Sequence, residues 1–262
     1  MTAETKPRSD ANRLKKTPAA KRGRPGAGSV RPQPHSAFLV YDFLGRQYQL
    51  PLLEGEDNET KERILIFATI MFAQRGYAAI SVRDIARVNG VKASSLYNHF
   101  ESKEALWAAA LEHLKKLYFL YFEILDQNIS RARSFEETLA LVLHEPKKMT
   151  NSFTTYGFSL ILTEQINNPL AAETHSSMLN YGINFIQEKF DACVAKGWVA
   201  PFDTHQVSAL IMNSVYMGFL NKVQEYEGRP IVTRTEDLMA GLELFLLSAT
   251  GAKMKPAQPL VE

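Results

Sequence analysis

The chain has 262 residues, 45% of them hydrophobic and 10% aromatic. That is enough apolar material for one large or two modest packed domains, and it excludes a disordered protein. The one cysteine, Cys193, excludes an intrachain disulfide and suits a reducing, cytoplasmic setting. No apolar run approaches the roughly 18 residues of a membrane span, and the basic N-terminus lacks the apolar segment of a secretory signal. The net charge of +2 hides an asymmetry: residues 1–35 carry nine Lys or Arg against two acids, +7, which leaves −5 for the rest. A basic tail on a mildly acidic body points to contact with a polyanion.

Residues 1–36 are rich in Pro, Gly, Ala and basic groups and cannot bury enough surface to offset chain entropy, so they read as a disordered tail. Within it, Arg22-Gly23-Arg24-Pro25 resembles an AT-hook. Glycine lets the backbone lie on the minor-groove floor while the flanking arginines run along a narrow A·T groove. The plainer reading is a basic linker drawn to phosphates without preference. Residues 37–57 hold two β-prone runs, Phe38 to Leu44 and Gln47 to Leu53, around Gly45-Arg46. They fit a hairpin arm or an extended linker equally well.

A first helix is expected from Glu59 to Gln74, with Ile64, Phe67, Ala68, Met71 and Phe72 as its inward stripe and Gly76 just past its end. The run from Ser81 to Phe100, SVRDIARVNGVKASSLYNHF, then reads as two short helices around a tight turn. Ser81 with Asp84 three residues on is a capping pattern, and Val82, Ile85 and Ala86 share one face. Asn89-Gly90 tolerates the left-handed backbone of a sharp stop. Ala93 to Phe100 forms the second helix, with Val91, Leu96 and Phe100 inward. Lys92, Ser94, Ser95, Tyr97, Asn98 and His99 are left largely outward. Short polar groups on an exposed helix are what a major-groove reader presents.

These residues carry a resemblance. Gly76-Tyr77, Ser81-Val82, Asp84-Ile85-Ala86, Gly90-Val91, Leu96-Tyr97, His99-Phe100 and Ser102-Lys103-Glu104-Ala105-Leu106 resemble the DNA-binding domain of the tetracycline-repressor (TetR) family, over about Thr60 to Leu111. The resemblance implies an all-α protein: a three-helix, helix-turn-helix domain over residues 58–104 and a helical effector-binding and dimerisation domain over 105–252, with 253–262 as a flexible tail. It also implies that Ala93, Ser94 and Ser95 face base edges. Lys92, Tyr97, Asn98, His99 and Lys103 would then contact mostly phosphates, and Arg83 would reach the opposite backbone.

Ser102 is the expected cap of a fourth helix running to about Asp126, whose second half, LKKLYFLYFEIL, is apolar on more than one face and calls for burial. Further helices are expected from Phe135 to Glu145, ended by Pro146, from Phe153 to Ile166, from Leu170 to Lys196, from Thr204 to Glu227 and from Arg234 to Ala249. The last two carry small residues (Ala209, Ser214, Gly218, Ala240, Gly241) that allow close approach. The family uses the equivalent pair as an intersubunit four-helix bundle. Phe122, Phe153, Tyr156, His175, Met178, Tyr181, Phe185, Met212 and Tyr216 are candidates for an apolar effector cage, or simply core.

A Gly-rich phosphate loop, a nucleophile elbow and a metal-spaced His/Cys cluster are all missing, so neither an enzyme nor a cofactor is expected. The function implied is a cytoplasmic, nucleoid-associated bacterial repressor. It would bind a palindromic operator in double-stranded DNA as a homodimer and be released by a small apolar effector. The competing reading is an architectural DNA-binding protein using the same head plus the minor-groove hook.

Overall fold

The computed structural model describes residues 30–32, 38–43, 46–51, 59–149, 152–231 and 233–251. Three short strands come first: β1 (Val30–Pro32), β2 (Phe38–Phe43) and β3 (Arg46–Pro51). They form an antiparallel sheet in the order β1-β2-β3, with Val30 opposite Tyr41 and Phe38 opposite Pro51. β3 runs alongside the helix α6 defined below. β1 falls within the stretch expected to lack structure. Its pairing uses backbone N–H and C=O groups, which an apolar-content argument does not register. The hook residues Arg22, Gly23, Arg24 and Pro25 lie outside the described residues.

The rest is the all-α architecture expected. The head consists of α1 (Glu59–Arg75), α2 (Val82–Val88) and α3 (Ala93–Tyr97). The body consists of α4 (Lys103–Ile129), α5 (Phe135–Met149), α6 (Ser152–Glu164), α7 (Pro169–Ala195), α8 (Thr204–Tyr226) and α9 (Thr235–Thr250). No helix of the described residues is long and apolar enough to cross a membrane.

Four details depart from the expected pattern. α1 is not a one-stripe helix: every residue from Ile64 to Phe72 is buried, because α6 packs on it in addition to α2 and α4. α3 stops at Tyr97, with Asn98 as its cap, rather than running to Phe100. Pro146 does not end α5 but sits inside it. A proline removes one helical hydrogen bond and crowds the carbonyl four residues back; packing of α5 on α4, α7 and α9 holds the helix through that defect. Finally, α4 is not covered all round: Leu114, Tyr118, Phe122 and Leu125 are buried, but Leu120 is 47% and Ile124 36% exposed.

α4 is the shared beam, packing on α1 at its head end and on α5, α6 and α7 along the body. Gly157 of α6 faces it and leaves room for the buried Leu114 side chain. α8 packs on α6, α7 and α9.

Candidate nucleic-acid interface

The head's geometry follows from local chemistry. The Asp84 backbone N–H donates to Ser81 Oγ at 3.2 Å, and the Ser81 N–H donates back to Asp84 Oδ2 at 3.1 Å, a complete capping box. The Ser81 hydroxyl also donates to Asp84 Oδ2 at 2.5 Å. These bonds, with help from Arg87, hold the Asp84 carboxyl below its usual range. At the other end, Gly90 takes φ +68°. The Gly90 N–H donates to the Arg87 carbonyl (3.2 Å) and the Val91 N–H to the Ala86 carbonyl (3.0 Å), a Schellman closure that turns the chain sharply toward α3. Buried Asn89 adds a bond from Nδ2 to the Ile85 carbonyl at 2.9 Å.

With Val82, Ile85, Ala86, Leu96 and Phe100 buried beneath, α3 can point only one way. Lys92, Ser94, Tyr97 and Asn98 are exposed, and Ala93, Ser95 and His99 are half-buried along the same edge. Tyr97, 50% exposed, is a large ring with no apolar cover. Arg83 is exposed on α2. Of the nine candidate interface residues, Lys92, Ala93, Ser94, Ser95, Tyr97, Asn98 and His99 lie on or beside α3 and Arg83 on α2, all exposed or half-buried. Lys103 is engaged elsewhere. Its Nζ donates to the Tyr77 carbonyl at 2.6 Å and lies 4.1 Å from the centre of the Tyr77 ring. The Tyr77 hydroxyl in turn donates to Glu104 (3.2 Å), and burial together with that carboxylate pushes it up to about 12.

Two bonds that sequence reasoning missed tie the exit of α1 and the first turns of α4 to the α6–α7 junction. The Tyr77 backbone N–H donates to Glu164 Oε1 at 2.9 Å, and the Trp107 indole N–H donates to Asn168 Oδ1 at 3.3 Å. The same Asn168 oxygen caps α7 by accepting from the Ala171 N–H. The partners lie 87 and 61 residues apart, so no local spacing marks them.

The nine cage candidates divide differently. Phe122, Phe153, Tyr156, Met178, Met212 and Tyr216 are buried, His175 and Phe185 are half-buried, and Tyr181 is exposed. Several of them pack against one another. Phe122 meets Phe185 at 4.8 Å and Tyr181 at 5.4 Å, and His175 meets Tyr216 at 5.2 Å. Packing there is tight enough that a methyl on Gly182 would come within 2.6 Å of Met212 Cε. Among the described residues, no group of three or more His, Cys, Asp or Glu is placed to hold a metal ion.

Residues 64–110 match the family described as bacterial regulatory proteins, tetR family. The transcriptional regulator YerO of Bacillus subtilis is 34% identical over 83 residues, covering 32% of this chain and 25% of that protein. The transcriptional repressor KstR2 of Mycolicibacterium smegmatis is 43% identical over 67 residues, 25% of this chain and 33% of that protein. The chain therefore spans a third or less of these two curated relatives. The fold is shared more widely than the sequence. A TetR-family transcriptional regulator from Rhodococcus sp. superposes with a TM-score of 0.57 at 18% identity, over 74% of this chain and 99% of the other. A transcriptional regulator from Saccharomonospora viridis in complex with choline does so at 0.55 and 20%, over 72% and 95%. Residues 64–110 thus match the tetR family of bacterial regulatory proteins, and the helical body shares its fold with the superposed regulators.

Proposed function

We propose that the protein is a ligand-responsive transcriptional repressor that binds a palindromic operator as a homodimer. The observation that carries this reading is the exposed row on α3. Lys92, Ser94, Tyr97 and Asn98 stand clear of the fold, while a capping box and a Schellman turn set the direction of the helix beneath them. In this reading Ala93, Ser94 and Ser95 read base edges, and Lys92, Tyr97, Asn98, His99 and Arg83 hold phosphates. Residues 58–104 act as the head and 105–252 as the effector and dimer domain. Arg22 and Arg24 follow a flanking A·T groove.

Dimerisation is supported by the uncovered apolar face of the last two helices. Leu210 and Met217 on α8 and Leu244 and Phe245 on α9 are 45–61% exposed. Gly241, between them, has open space beside it. A two-fold pair of heads suits a palindromic site with half-sites a helical turn or more apart. Effector control is supported by the choline bound to the Saccharomonospora viridis neighbour and by the bonds from Tyr77 and Trp107 to the α6–α7 junction. An effector that favours one arrangement of the body can shift the head spacing by its difference in affinity for the two states.

The test is genome-wide occupancy of the full chain, followed by binding of Ser94→Ala, Ser95→Ala and Tyr97→Ala variants to randomised duplexes. A repressor occupies a few palindromes, and both serine variants change which bases are preferred, whereas Tyr97→Ala weakens all sequences alike. Broad coating of A·T-rich DNA, or an unchanged base preference in both serine variants, refutes the assignment.

A further inference from the structure

A cavity of about 320 Å³ lies between α5, α6, α8 and α9. That volume is within the range of small-molecule sites. Each helix supplies wall: Leu143 from α5, Thr155 from α6, Phe219 from α8 and Met239 from α9. None of the cage residues expected from sequence lines it.

Several polar groups of the lining are paired, and one buried hydroxyl is not. Lys222 Nζ pairs with Glu225 at 2.5 Å, and His144 Nε2 with Glu243 at 2.8 Å. The Thr235 hydroxyl donates to the Gly218 carbonyl. Thr155 is fully buried, and its hydroxyl has no hydrogen-bond partner. A buried hydroxyl left unpaired costs stability unless something occupies it. The Lys222 ammonium is taken and the Glu236 carboxylate stands in the lining, so an anionic headgroup gains little here. Apolar walls and one unpaired hydroxyl instead suit a neutral guest.

We propose that this cavity binds a compact, neutral, mainly apolar molecule bearing a single hydroxyl or carbonyl oxygen, which pairs with Thr155. Occupancy of the site needs nothing from the regulator reading; only its role as an effector site rests on that reading. A guest here bridges α6, whose last residue bonds the head through Glu164, to the exposed α8–α9 face.

The test is a fluorescence titration of the full chain with 2-naphthol and with naphthalene, which lacks the hydroxyl. Wild type should bind 2-naphthol saturably and more tightly than naphthalene. Thr155→Val keeps the shape and removes the hydroxyl. It should fold at least as well as wild type, weaken 2-naphthol about three- to tenfold and leave naphthalene unchanged. Thr155→Ser should keep the preference, and Val215→Phe, which fills the space, should weaken both ligands. No saturable 2-naphthol binding, or equal binding by wild type and Thr155→Val, overturns the proposal. Binding of the same preparation to genomic DNA fragments separates the two ideas. The expected titrations without DNA binding retire the regulator reading and leave the cavity. DNA binding without those titrations does the reverse.

Discussion

The backbone N–H of Tyr77, just past the end of α1, donates to the carboxylate of Glu164, the last residue of α6, across 2.9 Å. Gly76 beside it takes φ +82°, and a side chain there would begin 3.4 Å from the same carboxylate oxygen. The exit of the first head helix is thus tied to the end of a body helix by a bond to a charged group. Asn168, four residues on, holds Trp107 of α4. Two head-proximal elements are therefore anchored to one short junction between α6 and α7.

Replacing Glu164 with Ala should cost about 1.5–3 kcal/mol of unfolding free energy, the range for a bond from a neutral donor to a charged acceptor. Glu164→Gln keeps an acceptor oxygen and should lose less than half of that. Urea denaturation of the three proteins measures both values. Equal losses in the Ala and Gln variants would mean that the charge of the carboxylate, and neither a neutral acceptor for Tyr77 nor the packing of the side chain, carries the effect.

Local features of the head were legible because their chemistry is local. The Ser81–Asp84 spacing announces a capping box, Asn89-Gly90 announces the stop, and both ends of the reading pair follow. The all-round burial of α1 was not legible, since the helix that covers its second side arrives about 90 residues later. Glu164 and Asn168 look like ordinary helix-end residues until the fold brings them to Tyr77 and Trp107. The aromatic residues of the middle helices were visible, but spacing alone does not tell a ring that fills space from one that borders a void. Here they fill it, and the void opens beside Thr155, which no pattern marks.

His113 gives a pH dependence with a defined sign. It is buried on α4 against the Phe153 ring, 5.6 Å between centres, and its Nε2 has no hydrogen-bond partner. Burial, aided by Lys116, lowers it to about 4 from an ordinary 6.5. The folded state therefore holds it neutral, while the unfolded chain takes up the proton between pH 6.5 and 4. Stability is unaffected by this group above pH 6.5 and falls as pH drops through that window, by up to about 3 kcal/mol. Half-buried His175, also lowered by burial, adds in the same direction. The difference between wild type and His113→Leu isolates the single group. The variant should show a flatter stability curve between pH 7 and 4.5 in urea titrations. Parallel curves would mean that His113 is solvated in the folded protein.

The approach of α4 to α6 gives the sharpest packing test. A methyl built on Gly157 would stand 2.3 Å from Leu114 Cδ2 and 3.2 Å from Cγ, and Leu114 is fully buried. Gly157→Ala gains up to about 1 kcal/mol of helix propensity, but the wedge costs about 1–3 kcal/mol. A net loss, or at best no gain, is expected where an open helix position would gain stability. Leu114→Ala alone leaves a cavity and should cost about 2–5 kcal/mol. In the double variant the new methyl occupies part of that space, so the combined loss should fall short of the sum by about 0.5–3 kcal/mol. Thermal or urea unfolding of the four proteins closes this cycle. Additive losses would mean that α4 slides from α6 at little cost. The beam that carries the head would then be loosely seated on the body, and a ligand in the body could not set the position of the head by packing alone.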